Sequence, residues 1–215
     1  MAAALVHPLC SLSTRAQRID CLDLTRGLGA TPRGAITELL GQESTGRTAL
    51  AQSRLATATL GGEVAAWVDC GDAFDPASAT KAGADLGKML WVRCGHRLEI
   101  ALKAVDMILH SGGFGLVILD VCGATDAALR RVPLSYWYRI RRAVEGTPSI
   151  LLVLSRQSVA RACATRQFVL DQAKLEWRGL APFQTIARRK FQAISRKPMS
   201  AGVVALEALG DREEV

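Results

Sequence analysis

Apolar and polar positions along the first 155 residues follow two alternating patterns. Short, largely apolar runs have the length and composition of buried strands, and they occupy residues 35–40, 63–69, 116–120 and 150–154. Longer segments between them predict helices, and they cover residues 47–60, 98–111 and 134–144. Gly61-Gly62, Gly112-Gly113 and Gly146 end these helices. Strands that alternate with helices predict an α/β fold with a mostly parallel, twisted sheet flanked by helices.

Weaker signals complete the outline of the fold. Residues 90–92 predict a short strand, and Asp75-Pro76 has the composition of a helix start. After residue 167 the alternation becomes that of paired strands, at Phe168–Trp177 and Phe183–Phe191, with one more at Val203–Leu206. We therefore expect antiparallel strands at the C-terminal side of the sheet. The expected organisation is an irregular segment at 1–30, a core domain at 31–197, and a C-terminal strand with an acidic tail at 198–215.

Composition and charge narrow the class of protein. Hydrophobic residues make up 49% and charged residues 22%, which is ordinary for a soluble domain, and apolar runs such as Ile150–Leu154 are too short to span a membrane. The six cysteines include no pair at CxxC spacing, which favours a reduced, cytoplasmic protein over a zinc or redox site. Residues 128–197 hold 15 of the 27 Lys and Arg but only 3 acidic residues. This region is a candidate contact for a polyanion, for an acidic protein, or for solvent alone.

The segment Gly41-x4-Gly46-Arg47-Thr48 matches the phosphate-binding motif G-x-x-x-x-G-K-[ST] except for Arg in place of Lys. It follows a predicted strand and leads into a predicted helix, as the motif requires. Backbone N–H groups of such a loop converge on phosphate oxygens, and the helix N-terminus adds a favourable dipole. Thr48 would supply a hydroxyl to Mg²⁺, and Asp120, at the end of a buried strand, would hold the same ion through water.

The chain resembles RecA from about Thr31 to Phe191. The matching segments occur in the same order in both proteins, and they are 32–50, 66–76, 116–120, 151–157 and 186–190. The resemblance implies a RecA-like P-loop core that takes ATP and Mg²⁺. If the nucleotide site is retained, its residues would be Gly41, Glu43, Ser44, Thr45, Gly46, Arg47, Thr48 and Gln157, with Gln157 as the γ-phosphate sensor and Thr48 and Asp120 at the metal. Because the RecA strand that matches 186–190 reaches a neighbour's nucleotide, the resemblance also implies self-association.

Several departures from RecA bear on activity. The family's catalytic glutamate, which orients the attacking water, falls on Gly71, and the adjacent Asp72 is expected to face the other way. Arg47 keeps the positive charge, but a planar guanidinium is not equivalent to a lysine ammonium at a phosphate. The stretch 121–149 and the stretch after Gln157 are shorter than the RecA segments that carry its two DNA-binding loops. We therefore expect no catalytic residue and little or no enzymatic turnover.

A RecA relative with these losses resembles the ImuA-type, or SulA-like, proteins of bacterial mutagenesis cassettes. That resemblance implies a cytoplasmic accessory of the SOS response and translesion synthesis, placed on the nucleoid after DNA damage. Its implied partners are RecA itself and translesion polymerase-like proteins. Two other hypotheses stay open, namely an active DNA-dependent ATPase and a simple basic DNA-binding module.

Two basic clusters are candidates for contact with single-stranded DNA or with a protein partner. Arg139, Arg141 and Arg142 share a predicted helix with Tyr136, Trp137 and Tyr138, and Arg188, Arg189, Lys190, Arg196 and Lys197 flank Phe191. Basic side chains with interleaved aromatics suit phosphate contacts and base stacking. The alternative is that the aromatics belong to the core and the arginines to a rim or a subunit contact.

Overall fold

The computed structural model describes the backbone of residues 6–7, 31–171, 174–178, 185–197 and 203–209, and the side chains of residues 31–171 and 193–196. Most of the expected N-terminal segment and the acidic end of the tail lie outside these residues. The division of the chain at residues 30 and 197 therefore stays a prediction. No helix among the described residues is long and apolar enough to cross a membrane.

The described strands form one sheet. They are β1 (Val6–His7), β2 (Ala35–Leu40), β3 (Val64–Asp69), β4 (Met89–Arg93), β5 (Phe114–Asp120), β6 (Ile150–Ser155), β7 (Arg166–Leu170), β8 (Lys174–Arg178), β9 (Thr185–Lys197) and β10 (Val203–Leu209). Their order in the sheet is β1-β4-β3-β5-β6-β2-β7-β9-β10, with β8 also paired to β9. The six central strands β4-β3-β5-β6-β2-β7 are parallel to one another, whereas β1 pairs antiparallel with β4, and β9 pairs antiparallel with β7, β8 and β10. Because parallel strands end at the same edge, the loops after β2, β3, β5 and β6 lie side by side.

Helices cover both faces of the sheet. They are α1 (Arg47–Leu60), α2 (Pro76–Lys81), α3 (Leu98–Ser111), α4 (Asp126–Arg131) and α5 (Leu134–Glu145), with short 3₁₀ turns at Leu86–Lys88 and Arg161–Cys163. On one face α1 and α2 pack through Leu50, Leu55 and Ala79 against residues such as Ile118 and Leu154. On the other face α3 and α5 pack through Val105, Ile108, Trp137 and Ile140 against residues such as Val117 and Leu151. Burial of both faces explains why the central strands are apolar at nearly every position.

The expected α/β architecture with a mostly parallel sheet and antiparallel strands at its C-terminal side is confirmed. Helix α1 and strand β2 have the predicted bounds, and Asp75 caps α2 by accepting from the N–H groups of Ala77 and Ser78 at 3.1 Å each. The prediction of one strand at Phe168–Trp177 was wrong, since this stretch is divided between β7 and β8. Strand β7 joins the parallel sheet beside β2, and β9 is long enough to pair with both β7 and β8.

Two short elements were not predicted. Helix α4 begins after Thr125, whose hydroxyl accepts from the N–H of Ala128 at 3.2 Å. Strand β1 adds Val6 and His7 to the edge of the sheet inside a segment expected to be irregular. Both elements are too short to give a periodic pattern in the sequence.

Candidate functional site

The loop between β2 and α1 lies at the edge where the parallel strands end. Gly41 has no room for a side chain, because a Cβ there would lie 2.5 Å from Oγ1 of Thr45 and 3.0 Å from a backbone carbonyl of β7. Ser44 and Gly46 adopt left-handed backbone, with φ of 61° and 83°. The hydroxyl of Thr45 donates to the carbonyl of Gln42 at 2.9 Å and holds the turn. The loop is therefore curled tightly around its own glycines, as the sequence motif requires.

The N-terminus of α1 leaves backbone donors available beside this loop. The first hydrogen bond of the helix runs from the N–H of Leu50 to the carbonyl of Gly46 at 2.9 Å, and no side chain caps the helix. The amide groups of 47–49 thus have no acceptor within the helix, and the helix dipole favours negative charge at this point. Glu43 and Ser44 are exposed, whereas Thr48 is half-buried in the first turn. This geometry fits a phosphate group.

Arg47 is folded into the protein instead of facing solvent. Its side chain is only 7% exposed, and its Nη1 donates to the carbonyl of Gly41 and, at 3.3 Å, to the carbonyl of Ser155. Its Nε is buried and has no hydrogen-bond partner within the described part of the chain. The guanidinium therefore ties the glycine-bearing loop to the end of β6, and its positive charge lies beside that loop.

Two buried carboxylates stand side by side where β3 and β5 end. Asp69 and Asp120 are register partners, and their side chains are 0% and 4% exposed. Each caps its own loop, since Asp69 accepts from the N–H of Gly71 at 3.1 Å and Asp120 from the N–H of Cys122 at 3.0 Å. Burial raises the pKa of the Asp120 carboxyl above its ordinary value, and the neighbouring Asp69 adds to this, whereas the hydrogen bond from Cys122 and the charge of Arg47 lower it.

The protein offers few ligands for Mg²⁺ at this site. Among the described residues no group of three or more His, Cys, Asp or Glu side chains could hold a metal ion. Thr48 and Asp120 lie at the same edge of the sheet and offer hard oxygen atoms. Magnesium at phosphate sites commonly uses only one or two protein ligands besides phosphate and water. The residues present therefore fit a Mg²⁺ ion that binds together with a nucleotide. The ion would screen the negative charge of the nucleotide's phosphates.

Gly71, the residue that the resemblance aligns with the family's catalytic glutamate, lies against the backbone of Gly123. A Cβ on Gly71 would lie 2.9 Å from Cα and 3.2 Å from N of Gly123, and a Cβ on Gly123 would lie 2.3 Å from Cα of Gly71. The loops after β3 and β5 thus touch through two glycines, and neither position admits a side chain without moving the other loop. If the family's glutamate aligns with Gly71, as the resemblance to RecA implies, its side chain would fit only if these two loops moved apart.

The adjacent Asp72 does not replace the missing carboxylate. Its two oxygens accept from Nε and Nη2 of Arg93 at 3.1 and 3.0 Å, and Arg93 also lies over the ring of Trp91 at 5.2 Å. The bond to Arg93 holds the pKa of the Asp72 carboxyl below its usual range. A carboxylate held by a bidentate arginine is a poor base and a poor acceptor for a water molecule.

Gln157 follows β6 by two residues and is half-buried. Its carbonyl accepts from the hydroxyl of Ser155 at 2.7 Å, so its backbone is fixed next to the strand whose end Arg47 also contacts. The preceding Arg156 donates from Nη2 to the carbonyl of Ala124 at 2.9 Å and pairs with Asp126 at 3.1 Å. The loops after β5 and β6 are thereby joined beside the candidate site.

The rest of the loop after β6 is held by Glu38, a fully buried carboxylate in the middle of β2. Its Oε1 accepts from the N–H groups of Val159 and Ala160 at 2.8 and 2.6 Å, and its Oε2 accepts from Ser158 Oγ at 3.0 Å and Gln167 Nε2 at 2.6 Å. Four donors around one carboxylate compensate its burial. The loop is therefore an ordered connection, unlike the long DNA-binding loop that the RecA resemblance would place here.

The basic clusters are only partly available for a ligand. Arg139 pairs with Asp106 at 3.3 Å and Arg141 with Glu145 at 2.6 Å, whereas Arg142 is exposed and has no carboxylate partner in the described part of the chain. Trp137 is 2% exposed and belongs to the core, so of the two alternatives for the aromatics the core alternative holds for this residue.

Tyr136 is bound through its hydroxyl to the carbonyl of Leu102, and only Tyr138, at 48%, is well exposed. In the second cluster Arg188, Arg189 and Lys190 lie within β9, where β8 and β10 pair on its two sides. Arg196 is exposed near the end of the same strand, and Lys197 ends it. The side chains of the residues other than Arg196 lie outside the described part of the chain, so their predicted contacts stay predictions.

Sequence reasoning did not identify Glu38, Asp69 or Gly123. Glu38 interrupts an otherwise apolar strand, and this interruption is the one signal that could have marked it. Asp69 and Gly123 gain their roles only when β3 and β5 become neighbours, which the linear sequence does not state.

Comparisons with known proteins agree with this geometry. Residues 8–129 match the RecA N-terminal domain family. The RecA protein of Thermus aquaticus is 42% identical over 103 residues and that of Mycobacterium ulcerans is 40% identical over 103 residues, in both cases 48% of this chain and 30% of the relative. The match thus spans less than a third of the length of these relatives. The crystal structure of the RadB recombinase has a similar fold, with a TM-score of 0.59 and 16% identity over 86% of this chain and 90% of RadB.

Proposed function

Because this chain belongs to the RecA N-terminal domain family, we propose that it is a RecA-like accessory protein of DNA-damage-induced mutagenesis and that it acts by binding protein partners. On this proposal it works in the bacterial cytoplasm, at the nucleoid after DNA damage. Its partners are RecA and a translesion polymerase-like protein. The resemblance to ImuA-type proteins supports this choice within the family.

The observation that carries the proposal is the contact between Gly71 and Gly123. In-line attack on a phosphate needs a water molecule held by a nearby base or acceptor. The Cβ of a side chain at residue 71 would lie 2.9 Å from Cα of Gly123, so a water-orienting side chain there would require the backbone to move. The neighbouring Asp72 is paired with Arg93 at 3.0 Å, so its carboxylate does not supply this group either. A member of this family without a water-orienting group is better suited to bind than to catalyse.

A nucleotide has a static role in this proposal. The curled loop, the free N-terminus of α1 and the buried Arg47 support binding of ATP with Mg²⁺. The nucleotide then stabilises the loops at this edge of the sheet, by mass action alone. Contact with a second copy of this chain stays open beside the two protein partners. The resemblance to RecA implies it, because the matching RecA strand at 186–190 reaches a neighbour's nucleotide.

The experiment that tests the proposal measures the affinity of the purified full chain for purified RecA and for the cassette's polymerase-like protein. Biolayer interferometry with ATP·Mg²⁺, and again without nucleotide, gives the dissociation constants. Measurable, saturable binding to at least one partner is the expected result. Binding to neither partner, together with phosphate release that rises with single-stranded DNA, would favour a DNA-dependent ATPase instead.

A further inference from the structure

The outer side of the helical layer formed by α3 and α5 carries two large exposed side chains, Met107 and Tyr138, and two exposed cations, Lys103 and Arg142. The two helices are joined, since Arg139 pairs with Asp106 at 3.3 Å and the hydroxyl of Tyr136 donates to the carbonyl of Leu102. Their buried sides face the sheet, so the opposite sides face solvent together. We define the α3–α5 surface by its exposed residues Lys103, Met107 and His110 on α3 and Ser135, Tyr138 and Arg142 on α5.

The periodicity of the helices places these residues in two parallel rows. On α3 the spacing from Lys103 to Met107 and His110 is that of one helix face, and on α5 the same holds for Ser135, Tyr138 and Arg142. Met107 is 72% exposed and Tyr138 is 48% exposed. Two large side chains with apolar surface are thus exposed on the two helices that the salt bridge between Arg139 and Asp106 joins.

We propose that the α3–α5 surface binds a polypeptide segment that presents an apolar side chain flanked by acidic residues. This inference rests on the proposed function, because it assigns the partner-binding role to one surface. Met, Tyr and Arg are enriched at the centres of protein interfaces, where a few such residues carry most of the binding energy. Arg142 and Lys103 are exposed cations at the two sides of the surface, and acidic residues complement them.

The same surface is poorly suited to a nucleic acid. Beside it, Arg139 pairs with Asp106 at 3.3 Å and Arg141 with Glu145 at 2.6 Å, so these two cations are largely neutralised and contribute little to binding a phosphate backbone. The aromatic ring best placed for stacking by sequence, that of Trp137, is buried in the core. A protein segment tolerates the interleaved charges, because opposite charges can be paired one by one across an interface.

The test compares three variants of the full chain with the wild type. They are the double variant Met107→Ala/Tyr138→Ala, the charge reversal Arg142→Glu, and Leu60→Ala as a matched control. Leu60 is 54% exposed at the end of α1, on the other face of the sheet, so the control removes an equally exposed apolar side chain outside the surface. Circular dichroism and thermal melting check that each variant is folded. The readouts are the dissociation constants for immobilised RecA, for the polymerase-like protein and for a labelled single-stranded oligonucleotide.

We expect the double variant to bind the protein partner at least about tenfold more weakly, and Arg142→Glu to bind more weakly with a smaller dependence on salt. The control should stay within about twofold of the wild type. If the wild type binds a partner and the double variant binds it equally well, the surface is wrong and the proposed function stands. If the wild type binds neither protein, both are wrong. Weaker oligonucleotide binding with unchanged protein binding would assign the surface to nucleic acid and overturn the proposal.

Discussion

The contact between Gly71 and Gly123 makes a quantitative prediction about stability. An alanine at residue 123 would place its Cβ 2.3 Å from Cα and 3.0 Å from N of Gly71, and both atoms belong to backbone that cannot rotate away. Overpacking of this kind costs about 1–3 kcal/mol. For a domain of this size each kcal/mol lowers Tm by roughly 2–4 °C, so the expected fall is about 2–12 °C. Gly71→Ala places its Cβ 2.9 Å from Cα of Gly123, a milder contact, so its loss of Tm should lie near the lower end of this range.

The same contact predicts that restoring the family's glutamate does not restore hydrolysis. Gly71→Glu has the same Cβ as Gly71→Ala and a longer side chain, so it forces the loops after β3 and β5 apart. The carboxylate then lies away from the place where it would orient a water molecule, and misplacement of about 1 Å is already costly for catalysis. We expect a lower Tm for this variant and no phosphate release above background with ATP·Mg²⁺ and single-stranded DNA.

The assay is thermal and urea denaturation of the full chain, followed by circular dichroism, with phosphate release measured on the same preparations. Gly146→Ala is the matched control, because its Cβ meets nothing within 4 Å and its φ of −88° suits any residue. This control should be unchanged or more stable by up to about 1 kcal/mol. A Gly123→Ala variant with the same Tm as the Gly146→Ala control would refute the packing argument. A Gly71→Glu variant with DNA-stimulated turnover would refute the account of lost hydrolysis.

Three further predictions concern buried titratable groups. Glu38→Gln turns an acceptor oxygen into a donor that faces other donors, so we expect a loss of about 1–3 kcal/mol and faster amide hydrogen exchange over 156–165; unchanged exchange would contradict the role of this carboxylate. Asp120→Asn removes a buried carboxylate whose pKa is raised by burial, so the nucleotide-free protein should melt higher at about pH 8, and the gain should shrink as the pH is lowered and the wild-type carboxyl takes up a proton. A lower Tm at about pH 8 would show that ionised Asp120 is stabilising instead. Burial raises the pKa of Cys70 to about 11 and of Cys94 to about 12, so both thiols should react slowly with a thiol reagent at about pH 8 until the protein unfolds.

Local chemistry made much of this fold predictable. Strand β2 and helix α1 follow from an apolar run, a glycine-bearing turn and a helical segment that ends at Gly61-Gly62, and all of these signals lie within 30 residues. The cap of α2 was predictable for the same reason, since Asp75 and Pro76 act on adjacent backbone. The parallel pairing of strand β7 with β2 was not predictable, because β2 and β9 are distant in sequence and the residues of β7 allow either pairing.

The sequence predicted where the loop and the carboxylate of the candidate site lie in the fold, but not how their side chains are held. The motif at 41–48 and the carboxylate of Asp120 occupy the predicted edge of the sheet. The sequence does not show that Arg47 turns inward to Gly41 and Ser155, nor that two glycines from separate loops meet. Both features depend on distances between segments that are far apart along the chain. The ion pair of Arg139 with Asp106 was hidden for the same reason, whereas that of Arg141 with Glu145 is an i,i+4 pair within α5 and follows from helical spacing.

The central claim is that this protein keeps a phosphate site that binds without turning over. The most direct measurement titrates the full chain with ATP·Mg²⁺ by calorimetry, with and without single-stranded DNA, and then follows phosphate release from the same mixtures. The account predicts saturable binding and phosphate release that does not rise with DNA. Steady release that rises with single-stranded DNA and disappears in Asp120→Ala would contradict it.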